Sequence, residues 1–363
     1  MKGKAAVLTK QGSPMEIWEL PVPEVEPGAV LIKVSLANIC GSDLHYWRGE
    51  APWRVVPAIM GHEMTGTVFR MGQGVSTDSM GQPLSEGDRV VYPYFFPCDR
   101  CFACTHGNRA ACPNTLTRRA IPCDQPPHFM GAYAEYFYLP PRHYIFKVPD
   151  ELSDEMVSPL NCALCEVLYG LDRVGVSLGD TVAIQGAGGL GIYATAVARE
   201  MGATQVIVID RYPERLELAR AFGADHTISL EEFTTPRERT GRVRELTGGR
   251  GADVVAELAG FPQVLPEGLN MCSVAGSYLL IGNISRGLIA EIDPSLIVTA
   301  SRKLVGVVTY DPWVVPRALD FLKGNKDKYP FHRLISHKFP LDQINEAFAF
   351  AAEGRLSRAA LVP

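Results

Sequence analysis

The stretch PCDRCFACTHGNRAACP, residues 97–113, carries four cysteines within fifteen residues: Cys98, Cys101, Cys104 and Cys112, spaced C-x2-C-x2-C-x7-C. Thiols at that density admit a disulfide framework, an iron–sulfur cluster or a tetrahedral zinc site. The chain has nine cysteines, an odd number, and no apolar leader follows Met1, so a fully paired secreted framework is not expected. A ferredoxin-type run closes on an interval of three residues and shares ligands with a second copy. Here the interval is seven and no second copy exists. Four thiolates fill tetrahedral Zn²⁺ completely and leave no place for a substrate. A metal at these four residues is therefore expected to hold the shape of a loop rich in Pro, Gly and Arg, and to do no chemistry.

A second set of ligand types lies upstream. ANICGSDLHYW brings Cys40, Ser42, Asp43 and His45 together, and PAIMGHEMTGTV adds His62 and Glu63. Taken singly, a thiol is often a small hydrophobe and a histidine a satisfied core residue. Taken together, thiol, imidazole and carboxylate plus one water would leave zinc an exchangeable position, as Lewis-acid chemistry on a substrate oxygen requires.

A third motif predicts a nucleotide. TVAIQGAGGLGIYATAVARE holds Gly186, Gly188, Gly189, Leu190 and Gly191 between an apolar run and an amphipathic one. In this G-x-G-x-x-G order the first glycine makes the turn and the second admits a pyrophosphate. The third allows helix–strand packing, and the helix N-terminus faces the anion. Asp210 ends the next apolar run, VIVID, nineteen residues after Gly191. A carboxylate there can accept from the adenosine ribose hydroxyls and would repel a 2′-phosphate, which predicts NAD; the neighbouring Arg211 could instead greet a phosphate.

These motifs need elements to hold them. The 363 residues suit two units. Over 1–155, short runs such as AVLIKVSLA, TGTVFRMG and AYAEYFYLP, broken by Gly, Pro and Asp, read as a β-rich unit. From 156 to 302, continuous apolar runs (VAIQG, QVIVID, ADVVAEL, SYLLIG) alternate with helical stretches, the pattern of a doubly wound parallel sheet of the α/β class. Residues from about 303 to 363 are expected to return to the first unit, beginning with KLVGVVTY as a strand. A formal net charge of −5, with 47% hydrophobic and 21% charged residues, gives no case for nucleic acid or an anionic membrane. With no apolar stretch of spanning length, a cytoplasmic protein is expected.

The chain resembles the zinc-dependent medium-chain alcohol dehydrogenases, through AAVLTKQG, CGSDLH, GHEMTGTV, EGDRV, the cysteine cluster, GAGGLG, Asp210 and the closing SRAALVP, in that family's order. The resemblance implies a GroES-like catalytic unit around a Rossmann domain, with two zinc ions per chain, and reversible oxidation of an alcohol to a ketone or aldehyde with NAD. It implies that Cys40 and His62 ligate the catalytic zinc, with Glu63 ligating directly or in transient exchange. A further ligand on PLNCALCEVLYG falls to Cys162, with Cys165 and Glu166 as competitors. Ser42 and His45 match a proton relay, Asp43 fits behind the ligand histidine, and Arg358 matches a contact to the cofactor pyrophosphate. The cysteine cluster has the spacing of the family's structural zinc lobe.

For the substrate pocket, Trp47, Trp53, Phe95 and Phe96 flank the metal motifs and would favour an apolar, bulky, secondary alcohol. Polyol or amino-alcohol oxidation is an alternative, as are a zinc-free quinone or enone reductase and a non-enzymatic NAD-binding protein. The family's dimers and tetramers make a homo-oligomer the expectation, with SYLLIG or KLVGVVTY as sheet edges available for assembly.

Overall fold

A computed structural model describes residues 1–363 except 51–54, 116–120, 286 and 355–357. The apolar run Thr181–Gln185 is buried at all positions, because it lies at the centre of a six-stranded sheet. In spatial order the strands are His226–Ser229, Gln205–Asp210, Thr181–Gln185, Ala252–Glu257, Cys272–Leu280 and Lys303–Gly306. Every pairing is parallel. The chain starts at Thr181–Gln185 and builds outward to both sides, so the order reverses there, and a ligand crevice opens beyond the carboxyl ends of such strands. Gly186 follows directly.

Two features depart from the sequence reading. Lys303–Gly306 pairs with Cys272–Leu280 as the sixth strand of this sheet, so the segment returning to the first unit does not begin at 303. The helix Val314–Asn325 that follows buries Val314, Val315 and Leu322 in the same core. The strands that rejoin the N-terminal sheet are His337–Pro340 and Ala359–Val362. SYLLIG is consequently an interior strand; only Lys303–Gly306 on that side presents an edge.

The β-rich unit consists of a seven-stranded sheet and a three-stranded one. The larger runs His337–Pro340, Ala359–Val362, Val30–Asn38, Glu63–Met71, Arg89–Val91 and Phe146–Lys147, with Tyr136–Leu139 also paired to Val30–Asn38. The smaller joins Glu16–Pro21, Lys2–Leu8 and Ala58–Ile59. Val91, Phe95 and Phe146 of this unit bury themselves in the same apolar cluster as Val182, Ile184 and Tyr193 of the other, so one core crosses between them. Among the described residues no helix is long and apolar enough to cross a membrane.

Candidate active site

Sheet register brings the ligand motifs to one edge. The antiparallel ladder between Val30–Asn38 and Glu63–Met71 sets Asn38 opposite Glu63, and Ala359–Val362 sets Ala360 opposite Asn38. The chain therefore leaves the first strand towards Cys40, enters the second from His62 and enters the third from Arg358. Three segments far apart in sequence end side by side.

Cys40 precedes the short helix Gly41–Trp47, whose first turn carries Asp43. The buried Asp43 carboxylate accepts from Cys40 N at 3.0 Å and from Tyr133 Oη at 2.8 Å, and its other oxygen lies 3.4 Å from His62 Nδ1. One carboxylate thus fixes the thiol's backbone and orients the imidazole, leaving Nε2 for a ligand. The His62 carbonyl accepts from Tyr92 Oη and Asn161 Nδ2, each at 3.0 Å. Asn161 belongs to a π-helical turn, Leu160–Leu164, that leads into the helix Cys165–Val174. Such widened turns recur at functional sites because they re-aim side chains. This one carries Cys162 to Cys40, His62 and Glu63: one ligand atom from each of the four lies within 4.8 Å of the others. His62, Glu63 and Cys162 are buried and Cys40 is half-buried, so the group opens on the Cys40 side.

The electrostatics favour a cation. A hydrogen bond from Cys162 holds the Cys40 thiol well below its ordinary pKa despite burial, with His62 and Arg358 adding to the effect. Burial opposes a charged His62, yet Asp43 and then Cys40 raise it to about 10. Burial pushes Glu63 up to about 7 against the pull of Arg358. Two thiols, an imidazole and a carboxylate gathered within 4.8 Å form a donor set that suits zinc.

Arg358 ties this group to the glycine turn. Its Nη1 is in direct contact with Glu63 Oε2, and both side chains are buried. A Cβ placed on Gly189 would come within 2.5 Å of the Arg358 guanidinium, so only glycine admits it. Arg358 Nε and Glu63 Oε1 are both buried without a hydrogen-bond partner among the described residues. Gly186 adopts φ +101°, and a Cβ on Gly191 would stand 1.8 Å from the Gly186 carbonyl oxygen. Gly188 caps the helix Gly189–Glu200, which contains Leu190 and Gly191.

Asp210 is where the sequence reading placed it, at the end of Gln205–Asp210, but it has more partners than that reading foresaw. It accepts from Ala187 N at 2.6 Å and Tyr212 N at 2.9 Å, and Arg215 Nη1 lies 3.6 Å away. Arg211 is exposed, with its guanidinium 5.9 Å from the Tyr212 ring centre. Ser42 is half-buried on the helix after Cys40; His45 on the same helix holds Glu50, Nδ1 to Oε2, at 2.6 Å.

The four cysteines of the cluster also converge, with ligand sulfurs mutually within 4.8 Å. Cys101 Sγ and Cys112 Sγ stand 3.9 Å apart, close to the roughly 3.8 Å edge of a tetrahedron with 2.3 Å Zn–S bonds. All nine cysteines are unpaired by disulfides. An Asn114 hydrogen bond holds Cys98 down at about 6, whereas burial pushes Cys104 up to about 12.

The aromatics foreseen for a substrate pocket make core contacts where the structure describes them. Trp47 donates to the Ser13 carbonyl and packs edge-on against Phe348, and Phe96 lies on His143 in the β core. Both fill space where the apolar core demands it. Phe95 is buried between Tyr94 and Tyr310, and Trp53 lies outside the described residues. Tyr94 was missed: its ring centre is 4.9 Å from that of His62, and its hydroxyl reaches Glu166 Oε1 at 2.5 Å. Burial raises Glu166 to about 8 against that hydrogen bond. Cys165 points the other way, towards Tyr310, and burial holds its pKa high.

Comparison with known proteins agrees with this geometry. Residues 26–150 match the alcohol dehydrogenase GroES-like domain, and residues 189–324 match the zinc-binding dehydrogenases. The 5-exo-hydroxycamphor dehydrogenase of Pseudomonas putida is 37% identical over 355 residues, covering 97% of this chain and 96% of that one. The L-threonine 3-dehydrogenase of Pyrococcus horikoshii is 34% identical over 365 residues, 98% of this chain and 97% of its own. The crystal structure of an alcohol dehydrogenase from Thermotoga maritima superposes with a TM-score of 0.93 over 100% of both chains, at 29% identity.

Proposed function

The chain belongs to the zinc-binding dehydrogenases with an alcohol dehydrogenase GroES-like domain, and from that premise we propose that it oxidises a secondary alcohol on a bulky, largely apolar frame to the ketone, reversibly and with NAD. The observation that carries this reading is the group Cys40, His62, Glu63 and Cys162. Through Arg358 it stands one side chain away from the glycine turn.

In this reading Cys40 Sγ, His62 Nε2 and Cys162 Sγ would hold one zinc, and Cys98, Cys101, Cys104 and Cys112 would hold a second. When bound, zinc supplies Lewis acidity to the substrate oxygen, and NAD supplies the hydride acceptor. Asp43 fixes the His62 ring through Nδ1. Glu63, held by Arg358, stands ready to enter and leave the ligand set. Arg358, packed against Gly189, and the N–H groups at Gly189–Gly191 would hold the pyrophosphate, and the Asp210 carboxylate would take the adenosine ribose hydroxyls. Ser42 Oγ holds the proton that leaves the substrate hydroxyl, and His45, with Glu50 on its Nδ1, passes it to water. The β-rich unit and the six-stranded unit close on each other around these groups, which excludes water from the hydride path.

The edge strand Lys303–Gly306, beside exposed Val298 and Val308, suits assembly between copies of this chain. The test of the function is NADH formation with a panel of alcohols. Cyclic secondary alcohols should be oxidised in preference to straight-chain primary ones of equal carbon number. No turnover of any alcohol by fully zinc-loaded protein would refute it.

A further inference from the structure

The side chain of Glu166 has no role in the reaction just described, and its setting is unusual for a core residue. It lies on the helix Cys165–Val174, one turn beyond Cys162, with its Oε1 3.9 Å from Cys162 Sγ and 2.5 Å from Tyr94 Oη. Tyr94 in turn lays its ring against His62 and also reaches the Val308 carbonyl at 3.1 Å. Glu166 and Tyr94 are therefore each one contact away from a member of the metal-holding group, on the wall formed by the helix and the Tyr94–Phe95–Tyr310 aromatics.

Burying a carboxyl among aromatics is unfavourable unless its oxygens are satisfied, and an apolar residue of similar size would fill the place at no such penalty. Only one oxygen is satisfied. Oε1 takes the Tyr94 hydroxyl, whereas Oε2 carries no hydrogen bond among the described residues. Oε2 is also not enclosed, in contrast to Glu63 Oε1, which is sealed without a partner. A buried carboxyl fixed by one oxygen, with the other unpaired and not sealed, one contact from the metal-holding group, has the form of a recognition point.

We propose that Glu166, oriented by Tyr94, determines substrate specificity by accepting a hydrogen bond from a second O–H or N–H group close to the carbinol carbon, so that the preferred substrates are diols or amino alcohols on a bulky carbon frame. The proposal rests on the dehydrogenase reading above and names its substrate class. Tyr94 acts as a positioning residue that keeps Oε2 turned to the substrate, and the aromatic wall accommodates the apolar frame.

The test compares kcat/KM for trans-cyclohexane-1,2-diol, trans-2-aminocyclohexanol, cyclohexanol and trans-2-methylcyclohexanol, using zinc-loaded protein. Ratios are taken within one preparation, so the active fraction cancels. The wild type should prefer the diol, the amino alcohol or both over cyclohexanol by several-fold to about tenfold, the worth of one hydrogen bond to a buried carboxyl group. The amine and diol arms tell which donor is read. Glu166→Leu should bring that ratio to about one while leaving the methyl-to-unsubstituted ratio, which reports size alone, where it was. Glu166→Gln, which keeps one acceptor and the volume, should retain part of the preference. A wild-type ratio near one, or an equal ratio in Glu166→Leu, overturns the proposal. If Glu166→Leu does not fold, an unaltered ratio in Glu166→Gln together with Tyr94→Phe does so equally. Oxidation of all four alcohols without preference leaves the dehydrogenase reading standing and removes only the role of Glu166. Oxidation of none of the four, when other alcohols of the panel are turned over, overturns the Glu166 proposal alone; no turnover of any alcohol removes both.

Discussion

The guanidinium of Arg358 contacts the Glu63 carboxylate while occupying the space that a side chain at Gly189 would need. One residue immediately before the last strand of the β sheet therefore touches the metal-holding group and the nucleotide turn together. Arg358→Ala removes the positive charge from both. The expected result is a rise in the KM for NAD of roughly 10–100-fold, the range for one charge-assisted hydrogen bond, with both zinc ions retained. Arg358→Lys should recover only part, because an ammonium cannot serve two acceptors with a planar fork. An unchanged KM for the cofactor in Arg358→Ala would remove the pyrophosphate role.

The two cysteine groups should separate when mutated. Cys40→Ser is expected to abolish turnover while leaving the melting temperature and NAD affinity near wild type, since the sheets that position it are intact. Cys101→Ser should lower the melting temperature by several degrees and halve the zinc content, because the lobe has too little apolar surface to order itself without a metal. Loss of kcat in fully folded Cys101→Ser would contradict this division.

Asp210 has two tasks with different signatures. Its carboxylate accepts from Ala187 N and Tyr212 N, which fixes the glycine turn, and it also stands at the ribose position. Asp210→Ala should relax the NAD-to-NADP ratio of kcat/KM by about tenfold, aided by Arg211 and Arg215 nearby, and should lower stability as well. Asp210→Asn keeps an acceptor for the backbone amides but loses the charge. It should shift the ratio with less destabilisation. A ratio unmoved in both variants would end the ribose assignment.

His45→Ala should lower kcat by roughly 10–100-fold, at the low end for a general base because water can partly replace an exposed ring. Added imidazole should restore part of the rate without altering the KM for the alcohol. A loss that no buffer base rescues would mean that His45 and its Glu50 partner serve the local structure instead of proton transfer.

How far the sequence alone reached can be judged from particular residues. The four-cysteine cluster and the glycine turn are legible because their chemistry depends on spacing within one segment, whereas Cys40 and His62 are ligand types in two segments that the resemblance to the family joined. The parallel strands are legible because burial on both faces leaves continuous apolar runs. Cys162 was preferred to Cys165 and Glu166 through the family resemblance, and the physical reason for the preference, the π-helical turn that aims it, is not visible in the spacing. Tyr94 and Glu166 meet across 72 residues through tertiary packing, and a tyrosine in YPYFF carries no mark separating it from its core neighbours. Trp47 and Phe96 pack against the β core, and sequence does not separate an aromatic that the core claims from one that lines a pocket. The strand Lys303–Gly306 was assigned to the wrong unit because four residues of apolar sequence do not say which sheet they extend.

The central claim is that an ion sits among Cys40, His62 and Cys162 and a second among the clustered cysteines. Anomalous diffraction collected on either side of the zinc absorption edge, from crystals of the wild-type protein, tests it most directly. Two peaks per chain are expected, one about 2.3 Å from Cys40 Sγ and Cys162 Sγ and about 2.1 Å from a His62 ring nitrogen, the other equidistant from four sulfurs. A single peak, confined to the lobe in fully metallated protein, would contradict the account.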